Sequence, residues 1–143
     1  MNQPQSEKVC LAKALFFYVY VDEDQRYKDH LLYQSLMVRE EEEIIATLLR
    51  DVLQKTQITE GTLSNLFGKA ISDAVVLLKR SDQEMYLAYV TRLSQNEICR
   101  KIELAELETK LSKVNLQKLS YEDFQNMDVL RMAQRILESP ISL

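Results

Sequence analysis

The chain has 143 residues, 46% of them hydrophobic and 28% charged, and a net charge of −4. That balance excludes a disordered polyelectrolyte, and the lack of a basic stripe excludes duplex nucleic acid or an anionic membrane held by bulk charge, while leaving room for a small nucleotide pocket. Two glycines and two prolines, the prolines near the ends, are too few to punctuate a hairpin-rich fold. The expectation is therefore all-α: one compact, single-domain helical bundle over residues 1–143, frayed at 1–5 and 139–143.

Ser6 is placed to cap a first helix whose inward face comprises Val9, Leu11, Ala12, Leu15, Phe16 and Val19. Phe16, Phe17, Tyr18 and Tyr20 read as core and rim, since no basic residues alternate with them as in a base-stacking platform. Ala14–Val21 is too short for a bilayer span, which takes roughly 20 apolar residues, and it lacks the flanks of a signal peptide. A cytoplasmic protein is expected. Cys10 and Cys99 have no metal-type spacing and read as two reduced, partly buried thiols.

After a polar break at Asp22–Arg26, Tyr27–Val38 forms a helix that turns Leu31, Leu32, Ser35 and Leu36 inward and carries the only histidine, His30. Glu41–Thr56 follows as the central helix. Its pairs Ile44/Ile45, Leu48/Leu49 and Val52/Leu53 recur every four residues and keep one wide stripe buried. Arg50 and Asp51 interrupt that stripe, where charged groups need partners. Thr59 caps a short helix ending at Gly68, a left-handed C-terminal position, and Lys69–Lys79 is another buried helix. Ser81 and Glu84 form a capping box opening Asp82–Ser94, whose Met85, Leu87, Ala88, Val90 and Leu93 pack inward with Tyr86 and Tyr89 at the edge. Asn96 starts a helix with Ile98, Ile102, Ala105 and Leu107 inward and Glu106 beside them. Lys110–Leu119 reads as a helix end plus loop. Ser120 and Asp123 cap a final helix with Phe124, Met127, Leu130, Ala133, Ile136 and Leu137 inward, stopped by Pro140.

No glycine-rich phosphate loop, HExxH, GxSxG or cysteine–histidine motif is present. What remains is an order of residues: His30, Arg50-Asp51, Glu106. Tyr27-Lys28-Asp29-His30-Leu31-Leu32 resembles the Tyr-x-x-His-Pro-Leu of small HD-domain phosphohydrolases, in particular the single-domain relatives of RelA/SpoT-type guanosine tetra- and pentaphosphate hydrolases. Ala46-Thr47-Leu48-Leu49-Arg50-Asp51-Val52 resembles their Ala-x-Leu-Leu-His-Asp-Val. Thr56-Gln57-Ile58-Thr59 and Leu66-Phe67-Gly68 resemble the segment that follows. Leu77-Leu78-Lys79-Arg80 is similar to Leu-Thr-Lys-Arg, Tyr86-Leu87-Ala88-Tyr89 to Tyr-x-x-Tyr, and Arg100–Leu107 to Arg-Lys-x-Lys-Leu-Ala-Asp-Leu. The resemblance covers nearly the whole chain and implies a degenerate HD-like domain.

In that family two histidines and two aspartates hold a divalent cation that polarises phosphate and activates water. The resemblance places His30 and Asp51 on two of these positions, Arg50 on the second histidine and Glu106 on the last aspartate. An acidic Glu-Asp pair is replaced by Gln54-Lys55, an Asp-Asn by Thr109-Lys110, and the loop before Tyr27 is shortened. A guanidinium cannot ligate a metal. The resemblance thus implies a pseudo-hydrolase without catalytic residues, metal or other cofactor, in which Arg50 stands in for the cation by pairing with Asp51 or Glu106. Two plainer readings stay open: Arg50 snorkels to a surface glutamate, and Glu106 is a solvated helix residue.

Three functions follow from this frame. One is a regulatory or interaction module with a protein partner or a second copy. Another is a guanine-nucleotide binder using Lys79, Arg80, Arg100 or Lys101. The third is an active hydrolase with Mn2+ or another divalent cation on His30, Asp51 and Glu106.

Overall fold

The computed structural model describes residues 6–112 and 120–140; the expected frayed segment 1–5, residues 141–143 of the expected frayed segment 139–143, and residues 113–119 of the expected helix end and loop at 110–119 lie outside them. Among the described residues the chain is all-helical, with α1 (Glu7–Val19), α2 (Gln25–Met37), α3 (Glu41–Leu48), α4 (Val52–Lys55), α5 (Glu60–Phe67), α6 (Lys69–Leu77), α7 (Tyr86–Leu93), α8 (Glu97–Ser112) and α9 (Tyr121–Glu138). Contacts divide these after Lys79 into two compact units. No described helix is long and apolar enough to cross a membrane.

In the first unit α3 is central, packing on α1, α2 and α6, while α5 packs on α6. Ser6 caps α1 by accepting the Val9 N–H at 3.1 Å and also donates to the Glu41 carboxylate, tying the starts of α1 and α3 together. Phe16, Tyr20, Ile45, Leu48, Leu49, Val52 and Leu63 are fully buried between these helices. Side chains of this size each contribute about 1.5–3 kcal/mol by leaving water. The inward face of α1 is narrower than expected: Leu11 is exposed, and Leu15 and Val19 are half-buried.

α2 starts two residues earlier than expected because Asp24 caps it, accepting the Arg26 N–H at 2.7 Å. Its buried row is Leu31, Gln34, Ser35 and Val38, the i, i+3, i+4, i+7 stripe of a helix. Leu36, expected inward, lies off that stripe and is 82% exposed, beside exposed Tyr33 and Met37.

The continuous central helix expected over Glu41–Thr56 is broken. α3 ends at Leu48 and α4 begins at Val52, with a turn at Leu49–Asp51. The cause is a tertiary hydrogen bond: the Asp51 N–H is donated to the Tyr20 hydroxyl at 3.2 Å. The Val52 N–H, in turn, closes a tighter turn onto the Leu49 carbonyl at 3.0 Å. Thr59 caps α5 as expected, accepting the Thr62 N–H at 3.2 Å. Gly68 ends α5 and starts α6 at φ +97° and ψ 161°, an extended positive-φ backbone open to glycine rather than the left-handed helical turn expected. α6 stops at Leu77, short of Lys79, with buried Leu78 as its cap.

In the second unit α7, α8 and α9 pack on one another around Val90, Leu107, Ala133 and Leu137, flanked by Leu87, Leu104, Leu130 and Ile136. The Ser120–Asp123 capping box forms reciprocally, at 3.1 Å and 2.9 Å. The Ser81–Glu84 box does not: α7 starts only at Tyr86, and the Glu84 carboxylate is engaged by both Arg92 Nε at 3.1 Å and Nη2 at 2.9 Å. Met85, expected in the core, falls before the helix and is 78% exposed; Ala88 is exposed too. On α9 the buried positions are Ala133 and Leu137, so Phe124, expected inward, is exposed. α8 runs to Ser112, so the helix end falls within the expected stretch beginning at Lys110. Of the two thiols, Cys10 is exposed and Cys99 buried, rather than both half-buried.

Candidate functional site

The break between α3 and α4 organises the polar centre of the first unit. A backbone N–H released from the helix ladder must find another acceptor when it is inside the fold. Tyr20, fully buried just after α1, supplies its hydroxyl oxygen to Asp51. The Asp51 carboxylate in turn accepts the Tyr27 O–H from the first turn of α2. The two tyrosine rings lie 6.0 Å apart at 47°, so three elements converge on one aspartate. Lys55 closes the group: its ammonium pairs with Glu23 and sits 6.0 Å and 5.9 Å from the centres of the Tyr20 and Tyr27 rings. Burial first, and the Asp51 charge second, push the Tyr20 pKa well above its ordinary value, opposed by the hydrogen bond from the Asp51 backbone N–H and then by the Arg50 charge.

Arg50 is half-buried and faces a second feature of the same unit, a pocket of about 450 Å3. Its polar lining is Arg50, Gln54, Glu60 and Lys79, and its apolar wall is Leu53, Val75 and Val76. Arg50 and Lys79, far apart in sequence, thus share one cavity. His30 is half-buried on α2, one turn beyond Tyr27.

The remaining expected site residues belong to the second unit. Glu106 on α8 is 16% exposed and lies 3.8 Å from Lys110, whose ammonium stands 5.7 Å from the Tyr86 ring centre. The Tyr86 hydroxyl donates to Glu103 at 2.7 Å, and Glu103 is almost fully buried. Burial, then the Glu103 charge and hydrogen bond, raise the Tyr86 pKa strongly; Glu106 adds to them. Arg80 stacks 5.4 Å from the Tyr86 ring and 5.9 Å from the Tyr89 ring and donates to the Glu84 carbonyl at 3.0 Å. Arg100 is held by Glu97 at 2.6 Å and by the Leu137 carbonyl at 3.1 Å, which fastens α8 to α9. Lys101 lies 3.6 Å from Glu97. These three cations therefore have structural work within their own unit, and only Lys79 of the expected nucleotide contacts lines the pocket.

The four positions that the HD resemblance assigns to a cation make a poor donor set. Arg50 brings a positive charge in place of a lone pair, the Asp51 carboxylate accepts from Tyr27, and Glu106 lies beside Lys110. Within either unit, among the described residues, no three side chains of His, Cys, Asp or Glu are gathered as metal ligands. Sequence reasoning missed Tyr20 and Tyr27 as partners of Asp51, and Glu103 as the acceptor of Tyr86. The one legible signal was that a charge in an apolar stripe requires a partner. Scanned against protein-family models the chain matches none, and no curated protein is significantly similar to it.

Proposed function

We propose that this chain is a catalytically inactive HD-like protein, a pseudo-phosphohydrolase that serves in the cytoplasm as a regulatory or interaction module for a protein partner or a second copy of itself. The observation that carries this reading is the state of Asp51. On the HD resemblance it is the metal-binding aspartate, yet its carboxylate accepts from Tyr27 and its amide is spent on Tyr20. Its neighbour Arg50 replaces a ligand with a permanent cation, and Gln54-Lys55 replace an acidic pair. A water nucleophile activated at this position would need the charge that these substitutions remove.

The test is a phosphohydrolase assay on guanosine tetraphosphate with saturating Mn2+. The expected result is no release of pyrophosphate above the rate without protein. Turnover abolished by Asp51→Asn would make the chain an enzyme and overturn the reading.

A further inference from the structure

We propose that the outer face of α9 pairs with the same face of a second copy of this chain, the two helices running antiparallel about a two-fold axis. The inference rests on the interaction-module reading, whose partner and surface it names. α9 has 18 residues, a length of roughly 27 Å at 1.5 Å per residue, yet its buried residues are only Ala133 and Leu137. Tyr121, Phe124, Asp128, Arg131, Arg135 and Glu138 follow one another at steps of three and four, which sets them in one row along the helix, and all six are exposed. Tyr121 and Phe124, at 79% and 56%, hold large aromatic surfaces in water at one end of this row, and exposed Met132 borders it.

The charges on the row select the occupant and its direction. Asp128 and Arg131 stand three residues apart and do not pair with each other, whereas Arg100 and Lys110 on α8 reach acids three and four residues away. Among the described residues none of Asp128, Arg131, Arg135 and Glu138 has a side-chain partner. A parallel second helix would set Asp128 beside Asp128 and Arg131 beside Arg131, which like charges oppose. An antiparallel one, with the two-fold axis between Val129 and Leu130, sets each residue opposite the one equally far from that midpoint. Asp128 then faces Arg131 of the second copy, Phe124 faces Arg135, and Tyr121 faces Glu138, each pair occurring twice. These make an ion pair, a guanidinium over an aromatic ring and a phenol donating to a carboxylate. The row is thus complementary to itself in that one direction.

The test is sedimentation equilibrium of the full chain up to about 1 mM, where one pair of helices, smaller than a standard interface, is expected to give a dimer with a Kd on the order of 100 μM. Asp128→Arg alone and Arg131→Asp alone, both at exposed positions, set like charges opposite each other and are expected to weaken self-association by about tenfold or more. An equimolar mixture of the two variants is expected to form a heterodimer of about the parent's affinity, because each supplies the charge that the other lacks. No fold defect in either variant can produce that rescue. A monomer at every concentration, a dimer that neither substitution weakens, or a mixture no tighter than the variants alone would overturn the proposal. Failure here is distinct from failure of the inactive-enzyme reading, which shows as turnover in the phosphohydrolase assay.

Discussion

The Tyr20 hydroxyl accepts the backbone N–H of Asp51 from 31 residues away, at 3.2 Å, where a continuous helix would have kept that N–H for itself. This bond lies at the turn between α3 and α4, where Arg50 lines a pocket and the Asp51 carboxylate accepts from Tyr27. Tyr20→Phe removes the acceptor and leaves a buried donor unsatisfied. The expected loss is about 1–3 kcal/mol of unfolding free energy, read by urea denaturation with an unchanged slope. An unaltered midpoint would mean that the turn at Leu49–Asp51 does not need Tyr20.

The same tyrosine and Tyr86 make stability fall on the alkaline side. Both hydroxyls have folded-state pKa values raised from the ordinary 10.0, chiefly by burial and then by Asp51 and Glu103 respectively. A raised pKa means that the folded state keeps a proton which the unfolded state releases. The stabilisation is thus fully present below about pH 10 and declines as pH rises from there toward the folded-state values. Tyr20 and Tyr86 should resist ionisation in an ultraviolet pH titration until the chain unfolds. Tyr20→Phe and Tyr86→Phe should each make the loss of stability above pH 10 less steep; an unchanged steepness in both would contradict the assignment.

The two serine–acid pairs should behave differently although they look alike in sequence. Ser120→Ala breaks a formed capping box and should cost about 0.5–2 kcal/mol. Ser81→Ala removes no cap, because Glu84 is engaged by Arg92, and should stay within about 0.5 kcal/mol of the parent. Equal losses in thermal unfolding would show that α7 begins earlier than Tyr86.

Leu31 and Leu36 offer a similar contrast on α2. Leu31→Ala opens a cavity at a residue 1% exposed and should cost about 2–5 kcal/mol. Leu36→Ser, at an 82%-exposed position, should change stability by no more than about 0.5 kcal/mol. A large loss at Leu36 would place it in a contact that the structure lacks.

These pairs also show what was legible in the sequence. The all-helical class followed from sparse glycine and proline, and local signals placed Ser6, Thr59 and Ser120 as caps because capping bonds span only three residues. Gly68 was legible as a helix end with positive φ, but not as the extended conformation it takes. The break at Arg50-Asp51 was not, since an apolar stripe continues through it and the interrupting hydroxyl comes from another helix. Leu36 and Phe124 were misplaced because a broad apolar face permits more than one rotation of a helix, and packing selects among them. Buried Glu43 and Glu103 gave no sequence signal, for a charged residue is buried only when tertiary partners make it tolerable. Of the candidate site, Arg50 and Asp51 stood out as charges in a buried stripe. The contacts of Asp51 with Tyr20 and Tyr27, and the place of Arg50 in a pocket wall, depended on long-range packing.

Manganese titration of the parent chain and of Arg50→His, followed by the electron paramagnetic resonance of free Mn2+, tests most directly the proposal that Arg50 stands at a vestigial cation position. The account predicts no tight Mn2+ in the parent and new or improved binding in Arg50→His, lost again in Arg50→His/Asp51→Asn. Stoichiometric Mn2+ binding by the parent chain, removed by Asp51→Asn, would contradict it.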